Sequence, residues 1–295
     1  MFSFVLLHYL VTSETIQCAN SILENVSGKV SIVIVDNDSP NDSFNELSKY
    51  YRDNQKVSVI INTDNTGYAG GINFGYMYAK IHLNPDFIIA MNNDMRIIQS
   101  DFTDKIKNKF NISQFYVLGP DIFSTATNEH QNPGHFSMLD VKSIDKEISH
   151  ITGLRKQTRK LKLKSYLRSN KAVLKSYYIL KHAIKGSNYQ NEDKVNVPLH
   201  GSCFIFSKLF INHREYALYP KTKMYCEAQI LYYECLRDSM KLIYTPEIKI
   251  LHHEDVATDA VAGSHYKKLM KVYSQQLDSL NIFKELILVD NQNNN

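Results

Sequence analysis

Oxygen- and nitrogen-bearing side chains gather at the ends of apolar runs in this 295-residue chain. Asn92-Asn-Asp94 closes Asp86-Phe-Ile-Ile-Ala-Met91; in extended backbone, positions 92 and 94 share a face while 93 points away. Two oxygen donors on one face suit a hard divalent cation held together with phosphate groups. The tripeptide is also the composition of an ordinary turn. His252-His253-Glu-Asp255 follows Pro246-Glu-Ile-Lys-Ile-Leu251, so only one of the two imidazoles faces any given site. Such a histidine is either a Mn2+ ligand in its neutral form or a hydrogen-bonded core or surface residue. Tyr225-Cys-Glu227 sets a carboxylate at the start of a helix, as a general base tuned by its pocket or as a charge favoured by the helix dipole.

Three further segments lie at comparable places. Asn65-Thr-Gly67 and Gly70-Gly71-Ile-Asn73-Phe-Gly75 open a helix after a strand, and glycines there allow a ligand to approach the backbone or a helix to pack closely. Neither GxxxxGK[ST] nor GxGxxG is present. Asp36-Asn-Asp-Ser-Pro40 follows Ser31-Ile-Val-Ile-Val35, where Asp36 can bond a base or ribose or build a turn.

These loops need a parallel sheet to bring them together. Short β-rich runs alternate with amphipathic stretches in the first half, the pattern of βαβ units. Strands are predicted at Ser3 to His8, Val30 to Val35, Val57 to Ile61, Phe87 to Met91 and Tyr116 to Leu118. Helices are predicted at Thr12 to Val26, Ser43 to Arg52, Ala69 to Ile81 and Gln99 to Phe110, with Thr12 or Ser13 and Asp42 or Ser43 as N-caps. Right-handed crossovers then put the polar loops on one sheet edge, where open α/β sheets bind ligands. The alternation stops from about 128 to 195, which reads as a polar loop and lysine-rich helices around Leu154 to Ile184. Val197 to Phe206 resumes as strand, Glu227 to Met240 as helix, Lys241 to Tyr244 and Ile248 to Leu251 as two strands, and Ser264 to Leu288 as helix before a disordered Asn-rich tail.

Taken in order, the motifs resemble the inverting family 2 glycosyltransferases of GT-A fold, notably their bacterial rhamnosyltransferase-like, capsule or O-antigen branch. Val33-Ile-Val-Asp36-Asn-Asp-Ser-Pro40 is similar to the family's nucleotide-contacting strand end, and Asn65-Thr-Gly-Tyr-Ala-Gly-Gly-Ile-Asn73-Phe-Gly75 to its N-x-G-x-A-G-G-x-N-x-G element. Asn92-Asn-Asp94 stands in place of the DxD-type motif, and Leu199-His-Gly201-Ser-Cys-Phe-Ile-Phe206 in place of the strand beside the acceptor pocket. Tyr225-Cys-Glu227 matches the start of the ED or EE motif, with Ala228 where a second acid is usual, and Pro246 to His252 keeps the spacing to a metal-binding histidine.

The resemblance implies an α/β GT-A fold with a mostly parallel mixed sheet. Its parts would be a nucleotide-sugar half over 1–125, a basic helical insertion over 128–195, an acceptor and catalytic half over 196–260, and a C-terminal helix and tail over 261–295. It implies transfer of a hexosyl or deoxyhexosyl group from a nucleotide-diphosphate sugar donor to a hydroxyl of a glycan or lipid-linked oligosaccharide acceptor. The base would be Glu227; Asp36, Asn65, Gly67, Gly70, Gly71, Asn73 and Asn92 would bind the donor; Asp94 and His252 would bind Mn2+ or Mg2+; Gly201 and Ser202 would lie on the acceptor side. The alternative is a catalytically impaired nucleotide-sugar-binding or assembly subunit, motivated by Ala228.

Composition narrows the field further. Four scattered cysteines with no CxxC argue against a zinc ribbon, a redox pair or a disulfide framework. The apolar N-terminus lacks a basic n-region and a cleavage site, so it reads as a strand and not as a signal peptide. No run approaches the ~18–20 apolar residues of a membrane span. His150 to Gly186 holds eleven Lys or Arg and no acid, leaving 23 basic against 30 acidic residues elsewhere. An acidic body with a basic segment points to a polyanionic partner. We expect an anionic membrane surface met by residues 150–186, hence a cytoplasmic protein peripheral at the inner face of a bacterial membrane. Leu161, Leu163, Tyr166, Leu167, Leu174, Tyr177, Tyr178 and Ile184 would supply its interfacial apolar face; a solvated helical insertion is the other reading. No nucleic-acid-binding module is identifiable.

Overall fold

The computed structural model describes residues 1–134, 136, 139–157, 161, 189–254 and 265–293. β1 (Phe2–His8), β2 (Val30–Asn37), β3 (Val57–Asn62) and β4 (Phe87–Asn92) pair in parallel, β3-β2-β1-β4. Their buried runs alternate between two helical layers, as period-2 side chains must. Phe4, Leu6, Ile32, Ile34, Ile89 and Met91 point to the core shared with α1 (Thr12–Asn25) and α4 (Phe102–Ser113). Val5, Val33, Val35, Ile88 and Ala90 point to the core shared with α3 (Gly67–Leu83). α2 (Ser43–Tyr50) adds Leu47 to the first core.

Beyond β4 the sheet becomes mixed. β9 (Cys203–Ser207) lies antiparallel between β4 and β6 (Val117–Ser124), and β10 (Leu242–His252) runs parallel to β6 and antiparallel to β5 (Met95–Ile97). β7 (Glu129–His130) and β8 (Lys194–Val195) pair at the margins of β6 and β10. β5 follows β4 directly across a turn, so its pairing with β10, His252 opposite Met95, brings that turn to the end of β10. α6 (Lys208–His213) and α7 (Glu227–Arg237) cover the second core. α5 (Val141–Lys156) packs with the long C-terminal helix α8 (His265–Asn293) around Ile144, Ile151, Leu280, Phe283 and Ile287.

Several sequence expectations are corrected. α1 is preceded by Val11 as N-cap, because the Thr12 hydroxyl donates to Glu46 (2.7 Å) and is spent on α2. The strands predicted on either side of Pro246 are one strand, whose pairing with β6 shifts between Thr245 and Lys249; a bulge there accommodates the proline. Val197 to Ser202 is loop and not strand, pinned by Asn132, which accepts from the His200 N–H and donates to Pro120 O. The Asn-rich tail continues α8 to Asn293. In the basic segment, α5 starts earlier than predicted, at an Asp140–Ser143 capping box. The lysine-rich helices beyond it, with Leu163, Tyr166, Leu167, Leu174, Tyr177, Tyr178 and Ile184, lie outside the described residues, as does Asp255.

Candidate active site

Two adjoining cavities, of about 730 and 740 Å3, open along the C-terminal edge of the sheet and share Tyr68, Asn92, Gln131, His200 and Tyr225. The first is built on the β4–β5 turn. Asn93 points away to Thr15 of α1 (2.9 Å), and the buried Arg96 holds Glu14 of α1 (2.6 Å), so the turn is fixed from behind. Asn92 and Asp94 face the cavity, each with a buried Oδ1 that has no hydrogen-bond partner. An orphaned buried oxygen is costly unless a ligand completes it.

His252 reaches the same point from β10, with Nε2 3.3 Å from Asp94 Oδ1. Its Nδ1 donates to Gln131 Oε1 (2.7 Å), while the Gln131 amide nitrogen donates to Glu254. This chain of bonds puts a proton on Nδ1, so that the neutral imidazole turns its Nε2 lone pair toward the carboxylate, the tautomer of a metal ligand. His253 is exposed and offers only its backbone N–H, to Asp94 O (3.0 Å). Among the described residues no group of three or more His, Cys, Asp or Glu could hold a metal ion. Asp94 and His252 alone still fit a divalent cation of the kind that completes its sphere with substrate phosphates and water.

The wall opposite comes from the ends of β2 and β3. Asn62 donates to Asn37 (2.9 Å) and Thr66 (2.8 Å), and Asn37 donates to Gly67 O (3.0 Å) and Asn65 (3.3 Å). Gly67 has φ +78°, and a Cβ there would sit 2.1 Å from Lys223 O. Only glycine permits that turn and that approach, which is sealed by the Tyr68 N–H to Lys223 O bond (2.6 Å). Asn65 and Gly67 line the cavity.

The second cavity is built around Glu227, the first residue of α7. Tyr225 and Cys226 precede it with φ of 72° and 65°, left-handed backbone that costs about 1 kcal/mol or more each in non-glycine residues. That turn aims Glu227 into the cavity beside Gly201, Ser202 and Ala228. The carboxylate is buried and its Oε1 has no hydrogen-bond partner. Burial raises its pKa to about 7, with backbone hydrogen bonds at Glu227 and Tyr225 pulling it part of the way back. Tyr68 donates to Gly201 O (2.8 Å) at the junction of the cavities. His200 is held neutral, its pKa lowered to about 4 by burial and then by His252.

Four expected donor residues have other work. Asp36 is fully buried: it accepts from Ser39 N–H (2.8 Å) and Ser43 (3.4 Å) and faces His8 (3.5 Å), so it anchors the loop into α2 and lines neither cavity. A Cβ on Gly70 would strike Oγ1 of Thr66, the N-cap of the same helix, at 2.3 Å, and one on Gly71 would strike Leu7 of β1 at 2.4 Å, so Gly70 leaves room for the helix's own first turn and Gly71 for its packing on the sheet. Asn73 ties down Ala217 and Leu218 (2.7–3.0 Å). Asn37, the neighbour of Asp36, lines the cavity instead, and alternation along β2 could have suggested it. Gln131 carries no signal in a polar loop.

The model of Glycosyl transferase family 2 matches residues 3–174. No curated protein sequence matches significantly. Among solved structures, GalNAc-T7 with UDP, GalNAc and Mn2+ superposes with a TM-score of 0.57 at 12% identity, over 92% of this chain and 48% of that one. Staphylococcus aureus TarS 1-349 gives 0.52 at 9% identity, over 97% and 70%, and S. aureus TarS gives 0.53 at 10%, over 97% and 42%. The chain thus spans about half the length of GalNAc-T7.

Proposed function

Because the chain belongs to glycosyl transferase family 2 and its mixed α/β fold matches GT-A neighbours, we propose that it transfers a sugar from a nucleotide-diphosphate donor to an acceptor hydroxyl with inversion. The observation that carries this reading is the pairing of a cavity bearing Asp94 and His252 with an adjoining one bearing Glu227. The first suits a diphosphate and the second an attacking hydroxyl. Asp94 and His252 would hold Mn2+ or Mg2+, which when bound neutralises charge on the leaving diphosphate.

Glu227, ionised above about pH 7, accepts the acceptor's hydroxyl proton as the oxygen forms its bond to the anomeric carbon. The bond from that carbon to the diphosphate oxygen breaks in the same displacement, so one inversion results. Burial of Glu227 keeps water from competing for the proton and holds its basicity near that useful at neutral pH. Tyr68, fixed to Gly201 O, stands where donor and acceptor meet.

The finer reading follows the motif resemblance: a hexosyl or deoxyhexosyl donor and a lipid-linked bacterial surface glycan as acceptor. An impaired, binding-only subunit is disfavoured by the raised pKa and cavity-facing position of Glu227 despite Ala228. Incubating the chain with a donor panel, Mn2+ and simple glycan acceptors tests this. Product with inverted anomeric configuration, lost in Glu227→Gln, is expected; donor binding without turnover by the wild type would favour the impaired subunit.

A further inference from the structure

α8 lies outside the family match, which ends at residue 174, yet it runs along both cavities. Its contacts change chemistry along its length. Lys268, Lys271, Val272 and Gln275 line the Asp94 cavity, in the i, i+3, i+4, i+7 spacing of one helical face. One turn on, Gln276 and Leu280 line the Glu227 cavity. Leu280, Phe283 and Ile287 then enter the apolar core shared with α5. Opposite the two lysines, Lys223 lines the same cavity from the loop that packs on Gly67. Three lysines therefore line the cavity that Asp94 and His252 also line.

A divalent cation shared with the Asp94 carboxylate leaves a diphosphate, and still more the departing nucleoside diphosphate, short of positive charge, which lysine ammonium groups can supply. We infer that Lys268 and Lys271 of α8, with Lys223, are the diphosphate-binding cations of the donor cavity, so that a helix beyond the family match completes the donor site. This assignment rests on the donor cavity proposed above. It requires that the lysines contribute to binding of the diphosphate and not of the nucleoside.

Calorimetric titration of the full chain with a nucleoside, its monophosphate and its diphosphate, in Mn2+, separates the two. The Lys268→Ala/Lys271→Ala variant is expected to lose on the order of 10- to 100-fold in diphosphate affinity, with nucleoside affinity unchanged. Lys268→Arg/Lys271→Arg should retain most of the diphosphate affinity. Lys267→Ala, at an exposed position of the same turn, should behave as wild type. Wild-type diphosphate affinity in the double alanine variant overturns the lysine assignment alone. Failure of the wild type to bind any nucleoside diphosphate overturns both this assignment and the donor cavity.

Discussion

Glu227 concentrates the consequences of burial in one side chain. Its pKa near 7 in the folded chain lies above the ordinary value of about 4.3, so the native state binds more protons than the unfolded chain between those values. Stability from this group therefore falls as pH rises from about 4.3 to 7 and stays reduced above. Glu227→Gln should raise stability above pH 7 by about 1–3 kcal/mol with little effect near pH 4, measured by urea denaturation across pH. The same substitution should lower kcat by about 100-fold or more. The wild-type rate should rise with pH to a plateau above about 7, and a limb centred near pH 4 instead would contradict burial as the source of basicity. His252 depends on Gln131 for its tautomer, so Gln131→Leu should weaken Mn2+ binding by about 10-fold or more, read by the paramagnetic resonance signal of free Mn2+.

The helices and strands position these groups through a few close approaches. Gly67→Ala adds a Cβ at 2.1 Å from the Lys223 backbone with φ +78°, whereas Gly28 has φ +89° and nothing near it. Gly67→Ala should lower Tm sharply and open the donor wall, while Gly28→Ala should cost only about 1 kcal/mol, both followed by thermal unfolding. Gly153, inside α5 with open space at its Cβ, should gain about 0.5–1 kcal/mol on substitution by Ala. α8 is tied to α7 by Asp290 with Arg237 (2.7 Å) and Tyr233 (3.0 Å), and to α5 by Lys284 with Asp145 (2.6 Å). The β1 to β4 strands and α1 to α4 were legible in the sequence because short β-rich apolar runs alternate there with longer helix-forming stretches. β5 was not, since three residues after a turn carry no such pattern, and the continuity of β10 was hidden by Pro246. Asp94, His252 and Glu227 were legible as strand and helix ends. The roles of Asp36, Gly70, Gly71 and Asn73 were not, because type and position do not say whether a side chain faces a cavity or a neighbouring helix.

At the scale of the whole molecule, one sheet joins the two halves of the sequence, and β5, which follows β4 across the Asn93–Asp94 turn, pairs with β10 at its far edge. That is why motifs 158 positions apart, Asp94 and His252, can share a ligand. No helix among the described residues is long and apolar enough to cross a membrane. We propose that the basic 150–186 segment of an otherwise acidic chain meets an anionic surface, where each Lys or Arg would contribute about 1 kcal/mol. Vesicles containing phosphatidylserine should retain the chain at low salt and release it at high salt, and equal retention by neutral vesicles would remove the electrostatic explanation. The central claim is that Asp94 and His252 share a cation with a donor diphosphate, and the most direct measurement is calorimetric titration of nucleoside diphosphates into wild type and Asp94→Ala, with Mn2+ and after chelation. The expected result is a diphosphate that binds wild type about 10-fold or more tightly with Mn2+ than without, an enhancement absent from Asp94→Ala. Equal affinity of both proteins under both conditions would contradict it.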